Sequence, residues 1–224
     1  MNAGGGLSNE IKSCILYTNM DETKNTTIVI QAGGKSSRMG QDKALMHFLG
    51  RPLIARQVER VQGAGSLLVI SNQPGDYEFL GLPIVEDLLP GVGPLGGLYT
   101  ALSAAATPVV TVVACDMPFL SRKLLETQAE ILLREGVDVV IPRTEEGLEP
   151  LHATYRRDTC LPAVKAALDA GERKMIAWFP EVKVREMPAD EVARYDPQMQ
   201  SFINVNRPED YRAAEDLARR LEGE

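Results

Sequence analysis

Several short stretches of this 224-residue chain bring together groups that could do chemistry. In the first, an apolar run from Thr27 to Ile30 leads through Gln31-Ala32 into Gly33-Gly34. Lys35, Ser36, Ser37, Arg38 and Lys43 follow. Glycines let backbone N–H groups approach a ligand with no Cβ in the way, and successive amides of such a turn form a nest for an anion. The plainer reading is a surface turn, since Gly and Ser are common turn residues. A second stretch, Cys115-Asp116-Met117-Pro118, follows the apolar run Val109–Ala114 and puts a carboxylate at the end of a rigid element. Oxygen ligands suit Mg²⁺, which is commonly held by one or two carboxylates plus substrate phosphates. Alternatively, Asp116 caps a helix begun near Ser121 or forms an Asx turn. Asp87, in Pro83-Ile84-Val85-Glu86-Asp87, is either a ligand-side acid or a turn acid. Near the C-terminus, Asn204 and Asn206 stand two apart, a spacing that sends both amides to one face of an extended segment. Asn206 also sits where a helix opened by Pro208 wants its N-cap.

Other chemistries find no support. Neither Gly33 nor Gly34 opens a Walker A loop. A G-x-G-x-x-G spacing occurs only at Gly91–Gly96, behind Leu88-Leu89-Pro90 and not behind a long strand. It reads as a tight turn feeding a helix whose first amides either face a phosphate or face nothing. No serine lies in a G-x-S-x-G elbow. His152 alternates with apolar residues and reads as a wall or core-edge residue, and Cys115 reads as packing.

Composition narrows the partners. A net charge of −7 argues against a nucleic-acid surface, so an anionic ligand must be met by local cations or a metal ion. Three cysteines without CxxC spacing, and two histidines, make neither a zinc site nor a disulfide framework, which points to the cytoplasm. No apolar run is long enough to span a bilayer. Residues 1–25, rich in Asn, Thr and Gly, are expected to form a poorly ordered extension before one domain at 26–224.

The elements that must position these groups follow from hydrophobic patterning. Strands are expected at Thr27–Ile30, Leu67–Ile70, Ile84–Val85, Val109–Ala114, Val137–Ile141, Leu151–Tyr155 and Val182–Glu186. Helices are expected near 53–62, 95–105, 121–135, 160–170 and 208–222. The alternation implies an α/β fold with a mostly parallel sheet and helices on both faces. In such sheets ligands bind beyond the carboxyl ends of the strands. That edge is where Gln31–Lys43, Ser71-Asn72, Glu86-Asp87 and Cys115–Pro118 fall.

Taken together, Gln31–Leu45 resembles the signature loop of the molybdenum cofactor guanylyltransferases. The likeness extends in order through Gly93–Leu98, Cys115–Phe119, Glu149–Tyr155 and Asn204–Asp210, covering roughly residues 26–215. It implies a single-domain, three-layer, Rossmann-like nucleotidyltransferase fold. It implies that Gln31, Ala32 and Gly33 hold guanine and ribose through their backbone, with Gly34 favouring the guanylyl branch. It also implies that Lys43 contacts the triphosphate, that Asn72 and Asp87 help hold the nucleotide, and that Asp116 binds Mg²⁺. Asn204 and Asn206 would face the pterin. Gln31 stands where the family usually has leucine.

The implied reaction transfers GMP from GTP to the terminal phosphate of molybdenum-molybdopterin and expels pyrophosphate. Arg38 and Lys43 would neutralise charge and Asp116 would position Mg²⁺. No nucleic acid or membrane is expected as a partner, and proteins of the molybdenum cofactor pathway are candidate partners. A cytidylyl- or sugar-phosphate nucleotidyltransferase, or a non-catalytic nucleotide-binding module, would use the same loop.

Overall fold

Val and Ile dominate β1 (Thr26–Gln31) and β6 (Val109–Ala114), and both strands are covered on both faces along nearly their whole length. Strands of that kind belong at the centre of a sheet with helices on either side. The computed structural model, which describes residues 25–32 and 42–223, puts them there. The sheet order is β10–β7–β9–β6–β1–β4–β5, with β4 at Ser66–Ile70, β5 at Ile84–Val85, β7 at Val139–Thr144, β9 at His152–Arg156 and β10 at Val184–Met187. A short β8 (Gly147–Leu148) pairs with β7, and β2 (His47–Phe48) pairs with β3 (Arg51–Pro52) as a separate ribbon. β1 runs parallel to β4 and β6, while β9 is antiparallel to both β6 and β7.

Side-chain alternation along the strands builds two cores. On one face Val29, Val110 and Val112 meet Leu95, Leu98 and Leu102 of α2 (Pro94–Ala104) and Val164 of α4 (Arg157–Asp169). On the other, Ile28, Ile30 and Val113 meet Ile54 and Val61 of α1 (Leu53–Val61) and Leu125 of α3 (Arg122–Glu135). Each such buried aliphatic side chain contributes roughly 1.5–3 kcal/mol. Beyond a short α5 (Ala189–Val192), α6 (Pro208–Glu222) packs Tyr211, Ala214 and Ala218 against Phe48, Leu53 and Phe119. Among the described residues no helix is long and apolar enough to cross a membrane.

Several boundaries differ from the sequence reading by one or two residues, β10 for example opening at Val184 and not Val182, and two differences involve proline. β7 runs on through Pro142 to Thr144 instead of stopping at Ile141. Its pairing with β9 is confined to Val139 and Val140, and Pro142 lies opposite Met187 of β10, so the missing N–H falls beyond the β9 ladder. The helix expected at 160–170 opens at Arg157, which leaves Pro162 within its first two turns. Of the extension expected at residues 1–25, residues 1–24 lie outside the described residues.

His152 is fully buried in β9. The Gln128 amide nitrogen donates to the His152 carbonyl at 3.1 Å and stands 3.3 Å from its Nδ1, and the Phe202 ring centroid is 4.9 Å from the imidazole. Nδ1 is then the acceptor and the ring proton sits on Nε2, which has no partner. Burial drives its pKa from 6.5 down to about 4. Between those values the unfolded chain takes up a proton that the folded chain refuses, so stability falls as pH drops through the window. Denaturant titrations of wild type and His152→Leu at pH 7 and pH 5 should show the wild-type loss exceeding the variant's by about 2 kcal/mol. Equal losses would show that His152 does not govern acid stability.

Candidate functional site

Parallel pairing brings the carboxyl ends of β1 and β6 side by side, with Gln31 opposite Ala114. The ladder continues past the strands. Cys115 N–H donates to the Gln31 carbonyl at 3.2 Å, Ala32 N–H to the Ile70 carbonyl at 2.9 Å, and Ser71 N–H to the Val85 carbonyl at 3.0 Å. Three loop exits are thereby fixed before any loop begins.

Asp116 follows directly. It does not cap α3, because Ser121 does so by accepting from Leu124 N–H at 3.2 Å. Its carbonyl accepts from Val205 N–H at 2.9 Å, which lays the segment carrying Asn204 and Asn206 across the end of β6. Beneath the turn, the fully buried Gln57 of α1 donates through Nε2 to the carbonyls of Ala114 and Met117, each at 2.9 Å. One side chain therefore brackets Cys115 and Asp116 from both sides.

Lys43 enters from another direction. It opens a one-turn 3-10 helix, Lys43–Leu45, whose cap is Asp42: Oδ1 accepts from Ala44 N–H at 3.0 Å. Tyr211 of α6 anchors the next residue by donating to the Met46 carbonyl at 3.1 Å. The ammonium donates to Asn206 Oδ1 at 2.6 Å and stands 3.5 Å from Asp116 Oδ2. The side chains of Lys43 and Asp116 are only 17% and 21% exposed, sheltered from bulk water yet open to a ligand. Burial pushes the Asp116 carboxyl above the usual carboxylate range, and Lys43 opposes that rise without cancelling it. The site thus holds a carboxylate whose charge is under-compensated.

Other expected residues are placed with more mixed results. Asp87 forms the turn expected of an acid there: Oδ1 accepts from Leu89 N–H at 3.1 Å and from the Thr100 hydroxyl of α2 at 2.7 Å. Asn206 does not cap α6, because Asp210 accepts from the N–H groups of Asn206 and Arg207 at 3.0 and 2.8 Å. The Asn206 side chain is left for Lys43. Asn204 instead donates to the Phe202 carbonyl at 3.2 Å, so the two asparagine amides serve different partners. Asn72 is exposed at the exit of β4. The Gln31 side chain turns toward α2, where a Cβ added to Gly97 would lie 2.7 Å from its Oε1. The Gln31 carbonyl and the Ala32 amide are both engaged in the sheet. Gly33, Gly34 and Arg38 lie outside the described residues. Burial lifts the Cys115 thiol to about 12, so it is no thiolate nucleophile.

Sequence reasoning missed Gln57, Asp42, Tyr77 and Tyr211. Gln57 had a signal: it lies three residues after Ile54 and four before Val61, on the buried stripe of α1. A polar residue on an apolar stripe needs a partner. Tyr211 opens the apolar stripe of α6 with Ala214 and Ala218, but that spacing marks its ring and not the partner of its hydroxyl. Tyr77 stands in a short 3-10 segment with no such stripe.

Comparison with known proteins agrees with this fold. Residues 28–185 match the MobA-like NTP transferase domain. The chain is 36% identical over 188 residues to a probable molybdenum cofactor guanylyltransferase of Carboxydothermus hydrogenoformans, covering 84% of this chain and 94% of the relative. It is 38% identical to one of Pelotomaculum thermopropionicum, covering 82% and 89%. Molybdopterin-guanine dinucleotide biosynthesis protein A from Archaeoglobus fulgidus superposes with a TM-score of 0.76 at 26% identity, over 87% of this chain and 99% of that one. A 2-C-methyl-D-erythritol 4-phosphate cytidylyltransferase from Thermus thermophilus shares the fold, with a TM-score of 0.63 at 20% identity over 85% and 98%. A nucleotidyltransferase fold, a lysine and a carboxylate converging at its sheet edge, and relatives that match nearly end to end together make this chain a member of the MobA-like NTP transferase family.

Proposed function

We propose that the chain is a cytoplasmic, Mg²⁺-dependent enzyme that transfers GMP from GTP to the terminal phosphate of molybdenum-molybdopterin, releasing pyrophosphate. The observation that carries this reading is the convergence of Lys43, Asp116 and Asn206, residues from three distant segments, within 3.5 Å of one ammonium nitrogen. The guanylyl donor is supported by relatives named molybdenum cofactor guanylyltransferase, and the pterin acceptor by the likeness to the molybdopterin-guanine dinucleotide protein of Archaeoglobus fulgidus.

The donor set fits a hard cation shared with substrate phosphates. Among the described residues no cluster of three or more His, Cys, Asp or Glu could form a closed metal cage. Asp116 is an oxygen ligand whose charge is incompletely balanced, and such a carboxylate gains by meeting a cation. Bound Mg²⁺ would supply electrostatic stabilisation of the phosphate oxygens and help set their orientation.

This chain's own residues perform the remaining tasks. A phosphate monoester has its second pKa near 6 and is already mostly a dianion at neutral pH, so the acceptor needs no general base. His152, which pairs with Val113 near the end of β6, is buried and held neutral, in keeping with that economy. Lys43 would bind the triphosphate and offset the charge that develops as pyrophosphate departs. Asn206 orients the Lys43 ammonium in the absence of substrate. Asn204 and Asn206, carried over the end of β6 by the Val205–Asp116 hydrogen bond, would border the acceptor. Asp87 would steady the nucleotide with one carboxylate oxygen while the other keeps its turn.

Replacing Asp116 with Asn should abolish Mg²⁺-dependent pyrophosphate release while leaving the melting temperature unchanged or raised, because a carboxylate held at a cost is removed. Wild-type turnover in that variant would remove the metal-positioning role. Lys43→Met should lower kcat/KM by about 10²–10³, the usual loss when one charge-stabilising donor is deleted. Unchanged kinetics would reduce Lys43 to a surface charge. Heats of binding for GTP, CTP, ATP and UTP with Mg²⁺, followed by pyrophosphate release with a molybdopterin acceptor, test the substrates. GTP should bind tightest, and a preference for CTP would move the enzyme to the cytidylyl branch.

A further inference from the structure

Tyr77 lies in a 3-10 helix, Pro74–Leu80, that follows β4, and it is fully buried among Ile30, Ala32, Ala44 and Ile54. A ring in that place would pack equally well without a hydroxyl, and a buried hydroxyl costs stability unless it finds a partner. Here it donates to Asp42 Oδ2 at 2.6 Å, and the Ala32 carbonyl lies 3.4 Å away. The phenol thus touches the described residues on both sides of positions 33–41. It also takes up the carboxylate oxygen of Asp42 that the backbone leaves free, since Oδ1 is engaged by Ala44 N–H.

That second role has a consequence for the residue next in sequence. Lys43 adjoins Asp42, and an unengaged Asp42 oxygen would be a charged acceptor competing with Asn206 and Asp116 for the ammonium. With Oδ1 on Ala44 and Oδ2 on Tyr77, Asp42 is fixed in one rotamer, and the ammonium is found at 2.6 Å from Asn206 and 3.5 Å from Asp116. We infer that Tyr77 is a positioning residue of the transfer site: by holding Asp42 it directs the Lys43 ammonium toward Asn206 and Asp116. This rests on the proposed nucleotidyl transfer only for its kinetic consequence. The placement of Lys43 is a property of the free protein.

Tyr77→Phe deletes the hydroxyl and keeps the ring. It should raise KM for GTP and lower kcat, each by up to about tenfold, because a displaced charge-neutralising group is costly even over short distances. Adding Asp42→Asn to Tyr77→Phe removes the competing charge while keeping a good cap, and should recover most of the loss. A tyrosine that only supports the fold would give no such recovery. A double variant as impaired as Tyr77→Phe, or worse, would overturn the inference, as would unchanged kinetics in Tyr77→Phe. Acetylation of Lys43 in the ligand-free proteins, followed by mass spectrometry, separates this inference from the reading of function. Its rate should change severalfold in Tyr77→Phe and return toward wild type in the double variant. If wild type binds no nucleotide but the acetylation pattern holds, the transferase reading fails and the role of Tyr77 stands. If wild type binds GTP and Lys43 acetylation is indifferent to Tyr77, the reverse conclusion follows.

Discussion

The parallel pairing of β1 with β6 is the constraint on which the site depends. Because Thr26 stands opposite Val109 and Gln31 opposite Ala114, the two strands end level, with Gln31 hydrogen-bonded to Cys115 next to Asp116. A shift of one residue would turn every side chain of β1 to the opposite face. Val29 would leave the α2 core and Ile28 the α1 core, so the apolar residues of both layers hold the register. Function at the sheet edge is therefore secured by packing well inside it.

Once the strand ends are level, polar anchors of high local cost hold the site groups. Gln57 spends its amide on two carbonyls flanking Asp116 and leaves its own Oε1 buried without a partner. Asp116 itself is kept partly desolvated, with Lys43 as incomplete compensation. A sequence optimised for stability would have placed neutral or apolar groups at these points. The costs concentrate where a ligand bearing phosphate and a cation would relieve them, as expected where binding energy is held in reserve for substrate.

Much of this was legible in the residues. β-branched runs marked the central strands, β6 to the residue, and the abrupt change from apolar strand to Asp116 marked the sheet edge at which the candidate site lies. What escaped has physical reasons. The strand expected to end at Ile141 runs on through Pro142 because the β9 ladder is confined to Val139 and Val140, where no proline N–H is missing. The β2–β3 ribbon is two residues per strand, too short for any period to show. Asn204 and Asn206 were read as a pair from their spacing, whereas backbone contacts decide which amide reaches Lys43. Tyr77 carries no local signature, since its partner is 35 residues away and is chosen by the fold.

Gln31 shows how a departure from a family pattern can be absorbed. A leucine at this position would present only apolar surface to the first turn of α2. The longer amide lies so close to Gly97 that a Cβ there would stand 2.7 Å from its Oε1, so a side chain at 97 would push the end of the glutamine aside. The side chain lies on the α2 side of the sheet, the same face as Val29. Its carbonyl accepts from Cys115 with one lone pair, which leaves the other for a ligand. If the nucleotide base is held here, it meets main chain and not the glutamine amide. The glutamine side chain is then a matter between β1 and α2, where it faces Gly97.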